Sequence, residues 1–324
     1  MAQRNHTPHM NILVTGGAGF IGNEITLRLI KDGCDVVVVD NVNEYYDPSL
    51  KEDRLKRLPE SVVVCRVDIA DREALEAVFK EHGPFDAIQH VAAQAGVRYS
   101  IENPYTYADS NFVGTQNILE LAKENGKPHI VYASSSSVYG MRDEVPFRED
   151  MRVDEPISVY AATKRATELL AYTYTHLHDM HITVLRPFTV YGPWSRPDMA
   201  LLLFAHAITE DKPIRLFNGG DMLRDFTYID DIVDGFVKAL NAPKGYKIYN
   251  IGRGAPTPLK KFVSVLEDAL GKKAKVQIEP MQPGDVKQTY ADISAARADF
   301  GYDPKVSVEE GVEKFARWFR EYYT

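Results

Sequence analysis

The chain has 324 residues, of which 44% are hydrophobic and 26% charged, which suits one large α/β domain with a smaller companion. Its formal net charge of −8 argues against nucleic-acid binding, and its apolar runs fall short of the roughly 18 residues that a membrane span needs. The two cysteines, Cys34 and Cys65, are too few for a disulfide framework or a zinc site, so we expect buried free thiols, a cytoplasmic location and no metal.

Apolar β-branched runs alternate with helical patterns up to about residue 190, after a polar stretch at 1–9 that we expect to be disordered. The predicted strands are 11–15, 35–40, 62–66, 86–91, 129–134 and 182–186. The predicted helices are roughly 20–32, 72–82, 110–125 and 158–179. This alternation is typical of a doubly wound parallel sheet of the Rossmann type, which we place at 10–190.

The first predicted strand runs into three regularly spaced glycines, Gly16, Gly19 and Gly22, which open a helix. Such glycines permit a tight turn and the close approach of a pyrophosphate to the helix N-terminus. Asp40 ends the second strand, where a carboxylate can bind a ribose and would repel the 2′-phosphate of NADP. We therefore expect residues 10–190 to bind NAD; the alternative is a purely structural turn.

Four serines, residues 134–137, follow the fifth strand, and Tyr160 and Lys164 share one face of the next helix. A free tyrosine has a pKa near 10, so we expect Lys164 and a positive nicotinamide ring to lower the pKa of Tyr160 until it serves as a base. A serine-rich turn and a surface Tyr–Lys pair are the alternatives. No Gly-x-Ser-x-Gly elbow surrounds the serines, which argues against a hydrolase.

The pattern loosens after Pro193, where short extended pieces mix with helices. The extended pieces are 214–217, 247–251 and 275–279, and the helices lie near 200–210, 230–240, 259–270 and 308–322. We expect residues 191–324 to form mainly a smaller α/β lobe that binds the substrate, with the chain able to cross between the lobes.

The glycine turn, the serine loop and Tyr-x-x-x-Lys together resemble the extended short-chain dehydrogenase/reductase family of NAD-dependent epimerases and dehydratases, from residue 11 to about 320. Longer stretches resemble its UDP-glucuronate 4-epimerase branch, at 40–48, 90–100, 188–199 and 281–286. One departure is Ser195, where that branch usually has glycine. This departure puts in doubt the shape of the loop that carries Arg196.

The resemblance implies epimerisation of UDP-glucuronate at C4 to UDP-galacturonate, through a transient 4-keto sugar and a bound NAD. Tyr160 would take the 4-hydroxyl proton, directly or through Ser135, and Lys164 would bind the nicotinamide ribose. The implied cofactor contacts are Gly16, Gly19, Phe20, Ile21, Gly22, Asp40, Asn41, Asp68, Ile69, Ala92, Tyr160 and Lys164. The implied substrate contacts are Arg98, Ser135, Ser136, Ser137, Thr189, Arg196, Arg224 and Asp285.

Several of these roles keep alternatives. Arg98 is ambiguous between the substrate carboxylate, a phosphate and a structural role, and Arg224 could instead pair with Asp225 or Asp230. Asp68 matches the adenine contact of the family, but it could simply cap the following helix. Gln282 stands where hexose epimerases often carry a phosphate-binding arginine.

The serine loop bears on the substrate. Ser136 and Ser137 occupy positions that are acidic in the family's dehydratases, so hydroxyls here favour a sugar with its own carboxylate. Our hypothesis is that these serines, Thr189 and Arg196 hold that carboxylate away from the orientation that loses CO2. The alternatives are a UDP-glucuronate decarboxylase, a UDP-hexose 4-epimerase and a non-catalytic NAD-sensing protein.

The resemblance also implies a homodimer formed through the helix that carries Tyr160 and the helix before it. The apolar side chains available on that helix are Leu169, Leu170, Tyr172 and Tyr174. They could serve either this interface or the core.

Overall fold

The computed structural model describes residues 9–281 and 286–323 and has a seven-stranded parallel sheet at its centre. In spatial order the strands are β11 (Tyr246–Ile251), β6 (Ile182–Pro187), β5 (His129–Ala133), β4 (Ala87–His90), β1 (Asn11–Thr15), β2 (Asp35–Val39) and β3 (Val63–Cys65). The predicted doubly wound parallel sheet is therefore confirmed.

Three two-stranded sheets are built from segments that follow β6 in the chain. They pair β7 (Val190–Tyr191) with β10 (Thr227–Tyr228), β8 (Pro213–Phe217) with β13 (Lys275–Glu279), and β9 (Leu223–Arg224) with β12 (Thr257–Pro258). Only the last of these three pairs is antiparallel.

Twelve α-helices occur in the described residues. They are α1 (Phe20–Lys31), α2 (Ser49–Lys56), α3 (Arg72–His82), α4 (Tyr99–Glu102), α5 (Tyr105–Tyr107), α6 (Gly114–Glu124), α7 (Val159–His178), α8 (Ala200–Thr209), α9 (Ile229–Lys238), α10 (Leu259–Leu270), α11 (Ser294–Phe300) and α12 (Val308–Tyr323). None of the described helices is long and apolar enough to cross a lipid bilayer.

The valine-rich strands are buried because helices cover both faces of the sheet. Along β1, Ile12 and Val14 pack into a core with α1 and α9, whereas Leu13 packs into a second core with α3, α6 and α7. This alternation follows from the two-residue period of a strand. Because helices cover both faces of the sheet, the loops at the carboxyl ends of the strands remain available to form a site.

Two of the predicted elements differ in the structure, besides elements that the sequence did not predict, such as α2 and α11. Residues 247–251 were expected in the second lobe, but β11 pairs along its whole length with β6 and becomes the seventh strand of the main sheet. The predicted helix at 110–125 begins earlier, because α5 continues through a π-helical segment, Ala108–Val113, into α6. The division at residue 190 stays a prediction, with a chain that returns to the first domain after it.

Candidate active site

A cleft of about 430 Å³ lies at the carboxyl ends of the sheet strands, where the loops after β1, β2, β4, β5 and β6 meet. All predicted cofactor contacts line it, namely Gly16, Gly19, Phe20, Ile21, Gly22, Asp40, Asn41, Asp68, Ile69, Ala92, Tyr160 and Lys164. Five predicted substrate contacts also line it, namely Ser135, Ser136, Ser137, Thr189 and Arg196. Arg98 and Arg224 are not among the lining residues, and Asp285 lies outside the described residues.

The glycine-rich turn leaves no room for side chains. Gly16 has a φ of +77°, and a Cβ there would come within 2.7 Å of the backbone nitrogen of Ala92. A Cβ on Gly22 would overlap the carbonyl oxygen of Gly16, so α1 packs directly on the turn. Helix α1 begins at Phe20, so the first N–H groups of the helix lack partners within it. Such N–H groups at a helix N-terminus can bind a pyrophosphate.

Asp40 ties this turn to the end of β2. Its two carboxylate oxygens accept hydrogen bonds from the backbone N–H groups of Ala18 at 3.0 Å and Val42 at 2.8 Å. Burial raises the pKa of Asp40, although both bonds and nearby Lys51 favour the charged form. A carboxylate has about four acceptor sites, so Asp40 retains acceptors that fit ribose hydroxyls.

Lys51 of α2 also lines the cleft, and the sequence analysis did not find it. Its ammonium donates to the backbone and side-chain oxygens of Asn43, each at 2.6 Å, and burial lowers its pKa. No periodic apolar pattern marks the helix that carries it, which is why sequence reasoning missed the helix and the lysine together.

Asp68, in the loop after β3, also lines the cleft. Its carboxylate accepts from the side chain of Asn41 and from the backbone N–H of Ala70, both at 2.8 Å. Helix α3 is instead capped by Asp71, which accepts from Ala74 N–H at 3.1 Å. Asp68 thus shapes the turn before the helix, and its contact with adenine stays a prediction.

Tyr160 stands in the first turn of α7, which Ser158 caps by accepting a hydrogen bond from Ala161 N–H. Burial raises the pKa of Tyr160, while the Ser135 side chain and the positive charge of Arg196 act in the opposite direction. Among the protein groups the net direction is upward, since removal of the phenol from water outweighs these opposing contributions. The lowering expected from Lys164 together with a positive nicotinamide ring stays a prediction.

Lys164 lies one turn further along α7 and is almost fully buried. Its ammonium donates to the carbonyl oxygen of Ala133 at 2.7 Å and lies 5.0 Å above the ring of Tyr132. Burial lowers the pKa of Lys164 to about 7, while the carboxylate of Glu168 opposes this change. An ammonium has three donors, so Lys164 keeps donors that can turn toward the cleft.

The serine loop divides between the cleft and the core. Ser135 donates to the Ser137 hydroxyl and accepts from the Ser137 N–H, each at 3.1 Å. Ser134 turns the other way and donates to Glu168 at 2.6 Å. Glu168 forms a fully buried ion pair with Arg186 of β6, at 2.7 and 2.8 Å.

Arg196 reaches the cleft from the loop after β7, and it does so already paired. Its Nε and Nη2 donate to the two carboxylate oxygens of Asp198 at 2.9 and 3.1 Å, and Tyr45 donates to the same carboxylate at 3.1 Å. Asp198 and Tyr45 were not predicted. Both lie in the stretches that carried the family resemblance, which was the available signal.

Two predicted cations lie elsewhere. The Arg98 guanidinium sits 4.8 Å above the ring of Phe217 in β8, and Arg224 donates to the carbonyl oxygens of Leu223 and Lys287. The Asp225 carboxylate, one proposed partner of Arg224, accepts backbone N–H groups from Arg253, Gly254 and Ala291. Their roles toward a substrate stay predictions.

Comparisons with known proteins agree with this arrangement. Residues 12–252 match the model of the NAD dependent epimerase/dehydratase family. UDP-glucuronate 4-epimerase 1 of Arabidopsis thaliana is 45% identical over 341 residues, which cover 99% of this chain and 79% of that protein.

Solved structures extend the similarity. UDP-glucuronic acid 4-epimerase from Bacillus cereus, in complex with UDP-glucuronic acid and NAD, superposes with a TM-score of 0.90 at 35% identity, over 97% of this chain and 100% of that one. UDP-glucose 4-epimerase from Thermotoga maritima with UDP-glucose has a TM-score of 0.89 at 30% identity, over 96% and 99%. The similarity thus spans almost the whole chain.

Proposed function

The chain belongs to the NAD dependent epimerase/dehydratase family, and from this premise we propose that it epimerises UDP-glucuronate at C4 to give UDP-galacturonate. The observation that carries the proposal is one cleft lined by the glycine turn, Tyr160, Lys164, the serine loop and Arg196. The similarity to UDP-glucuronate 4-epimerases of Arabidopsis thaliana and Bacillus cereus supports the same substrate.

The residues present fit NAD. Bound NAD would supply a reversible acceptor for the hydride of C4. The turn at Gly16 and Gly22 leaves space that a Cβ would fill, the N-terminus of α1 offers N–H donors to a pyrophosphate, and Asp40 offers acceptors to a ribose.

Tyr160 is the proposed acid–base group, which takes the proton of the 4-hydroxyl and later returns it. The Ser135 hydroxyl acts to lower the pKa of this phenol, and we propose that it relays the same proton. The positive charge of Arg196 favours the phenolate, and a charged Lys164, fixed on the Ala133 carbonyl, would bind a ribose hydroxyl.

The carboxylate of the sugar creates a specific demand. A 4-keto uronate is a β-keto acid, which loses CO2 when its C–CO2 bond aligns with the carbonyl π system. We propose that Arg196, Thr189, Ser136 and Ser137, which all line the cleft, hold the carboxylate out of that alignment. Asp198 keeps the Arg196 side chain fixed for this purpose.

The direct test is to incubate the purified protein with UDP-glucuronate, first without and then with added NAD, and to separate the products. UDP-galacturonate without CO2 supports the proposal. A UDP-pentose as the main product would make the protein a decarboxylase, and no turnover even with NAD would contradict both. Tyr160→Phe serves as the matched inactive control, because it removes only the phenolic oxygen.

We further propose a cytoplasmic homodimer. Leu169, Tyr172 and Leu177 on α7 are 51%, 55% and 65% exposed, and Phe112 and Val113 add exposed apolar surface on the preceding helix. A second copy of the chain would cover this surface. The free thiols of Cys34 and Cys65 are in keeping with a reducing compartment.

A further inference from the structure

Arg54 of α2 is a fully buried cation whose hydrogen bonds all go to neutral oxygens. Its guanidinium donates to the carbonyl of Ala18 at 3.1 Å, the hydroxyl of Tyr46 at 2.6 Å, and the carbonyls of Trp194 and Ser195. Within residues 9–281 and 286–323, no carboxylate pairs with it. Burying a charge in this way is expensive, so its geometry requires an explanation beyond packing.

One end of this contact lies in the glycine-rich turn. The N–H of Ala18 donates to Asp40, and its carbonyl accepts from Arg54, so the residue is held from both sides. Ala18 directly precedes Gly19, the N-cap of α1. Arg54 therefore helps to set the position of the helix N-terminus where a pyrophosphate would bind.

The other end lies in the loop that presents Arg196. Trp194 has a φ of +61°, which for a bulky residue costs about 1–3 kcal/mol. Its carbonyl accepts two bonds from Arg54, from Nε at 3.0 Å and from Nη2 at 2.7 Å, and the Ser195 carbonyl accepts a third at 3.3 Å. Arg196 is the next residue, so the same guanidinium defines where its side chain starts.

We propose that Arg54 is a positioning residue that couples two parts of the cleft wall, because one rigid guanidinium holds both the dinucleotide turn and the loop that carries Arg196. Because the guanidinium is planar and rigid, a shift of its hydrogen bond to Ala18 also shifts its hydrogen bonds to Trp194 and Ser195. Binding at the turn thus places Arg196, and Arg196 in turn favours epimerisation over loss of CO2. The second consequence rests on the proposed function.

The first test measures products. Arg54→Lys keeps the charge but loses the fork, so we expect the UDP-pentose fraction from UDP-glucuronate to rise about tenfold, as a small displacement of a positioning group can produce. Arg66→Lys is the matched control, since Arg66 is exposed and its guanidinium pairs with Glu52 of α2, at 2.6 and 2.8 Å, rather than with either region that Arg54 joins. A product ratio does not depend on how much protein is folded, so simple destabilisation would not change it.

The second test measures binding and does not need turnover. In a Tyr160→Phe background, the Kd for NAD is measured with and without saturating UDP-glucuronate. We expect the sugar nucleotide to tighten NAD binding at least about fivefold when Arg54 is present, and this factor to fall close to one in Arg54→Lys. Arg66→Lys is expected to retain the full factor.

Arg54→Met, which fills the space without burying a charge, replaces the lysine variant if that does not fold, with the same two expected results. An unchanged product ratio together with an unchanged binding factor would overturn the proposal and leave Arg54 a packing residue. Wild-type protein that makes no UDP-galacturonate would contradict the proposed function instead, and the binding measurement would still decide the role of Arg54.

Discussion

At the scale of single residues, the two cations nearest the reacting centre differ in how they are held. Lys164 is held by one backbone carbonyl, and burial lowers its pKa to about 7. Arg196 carries a permanent positive charge. Asp198 orients its guanidinium, and the charge still acts to lower the pKa of Tyr160. The arginine is thus the dependable positive charge beside the phenol.

This difference makes Arg196→Ala an informative variant. We expect the KM for UDP-glucuronate to rise about tenfold or more, since a charge-assisted contact is lost, and the UDP-pentose fraction to increase. Kinetic assays with product separation measure both. Arg152→Ala removes an exposed arginine and is the control. Retained binding with no extra pentose would assign the carboxylate to other residues.

At the scale of elements, a buried ion pair joins three of them behind the cleft. Glu168 of α7 accepts from Arg186 of β6 and from Ser134 at the end of β5. Arg186 also donates to the hydroxyl of Tyr139 at 3.0 Å. This network fixes the position of the serine loop relative to the helix that carries Tyr160 and Lys164.

Breaking that pair should be costly. Glu168→Gln leaves the Arg186 charge buried without its partner, and we expect the free energy of unfolding to fall by about 3–5 kcal/mol. Asp154→Asn removes one partner of exposed Arg152 and is expected to change it by less than about 1 kcal/mol. Denaturant unfolding of both variants checks the contrast; equal effects would show that burial of the pair is unimportant.

Two histidines at the starts of the neighbouring strands β5 and β6 make the free energy of unfolding depend on pH. His129 and His181 stack at 3.5 Å, and burial lowers the pKa of His129 to about 3. In the unfolded chain, His129 takes up a proton near pH 6.5, whereas in the folded protein it does so only near pH 3. The contribution of neutral His129 to the free energy of unfolding is therefore complete above pH 6.5 and is lost progressively toward pH 3.

We therefore expect the free energy of unfolding to fall as the pH drops from 6.5 to 4.5, with His129 contributing up to about 1.4 kcal/mol per pH unit. The variant His129→Gln should show a shallower slope in denaturant titrations at several pH values. His176→Gln changes an exposed histidine and should keep the wild-type slope. Parallel slopes in all three proteins would contradict the assignment.

At the scale of the whole molecule, burial divides the apolar residues of α7 that the sequence left open. Tyr174 is buried, whereas Leu169 and Tyr172 are exposed. Leu170 lies between these limits and packs against the second core. The exposed side chains are those available to a second copy of the chain.

The pair of substitutions Leu169→Glu and Tyr172→Glu should convert the proposed dimer into a monomer, because a closed two-fold interface would bring four new carboxylates together. Light scattering after gel filtration measures the mass. Leu203→Glu changes a leucine of α8 that is 50% exposed and should leave the mass unchanged. A wild-type protein that is already a monomer would contradict the proposal.

Local sequence determined the strands of the main sheet from β1 to β6, because valine-rich runs and helical periods are properties of neighbouring residues. It also determined the glycine turn and the shared face of Tyr160 and Lys164, which depend on spacings of a few residues. Only the tertiary structure decided which side chains meet across long separations, as Arg54 does with Trp194, 140 residues away.

The same distinction explains the corrections. The place of β11 in the main sheet and the hydrogen bond of Tyr45 to Asp198, 153 residues away, depend on how distant segments meet, which no local period records. The direction of the Tyr160 pKa depends on burial by elements distant in sequence. The sequence by itself thus determined the chemistry that the chain carries, and the tertiary structure decided the partners and the solvent exposure that tune it.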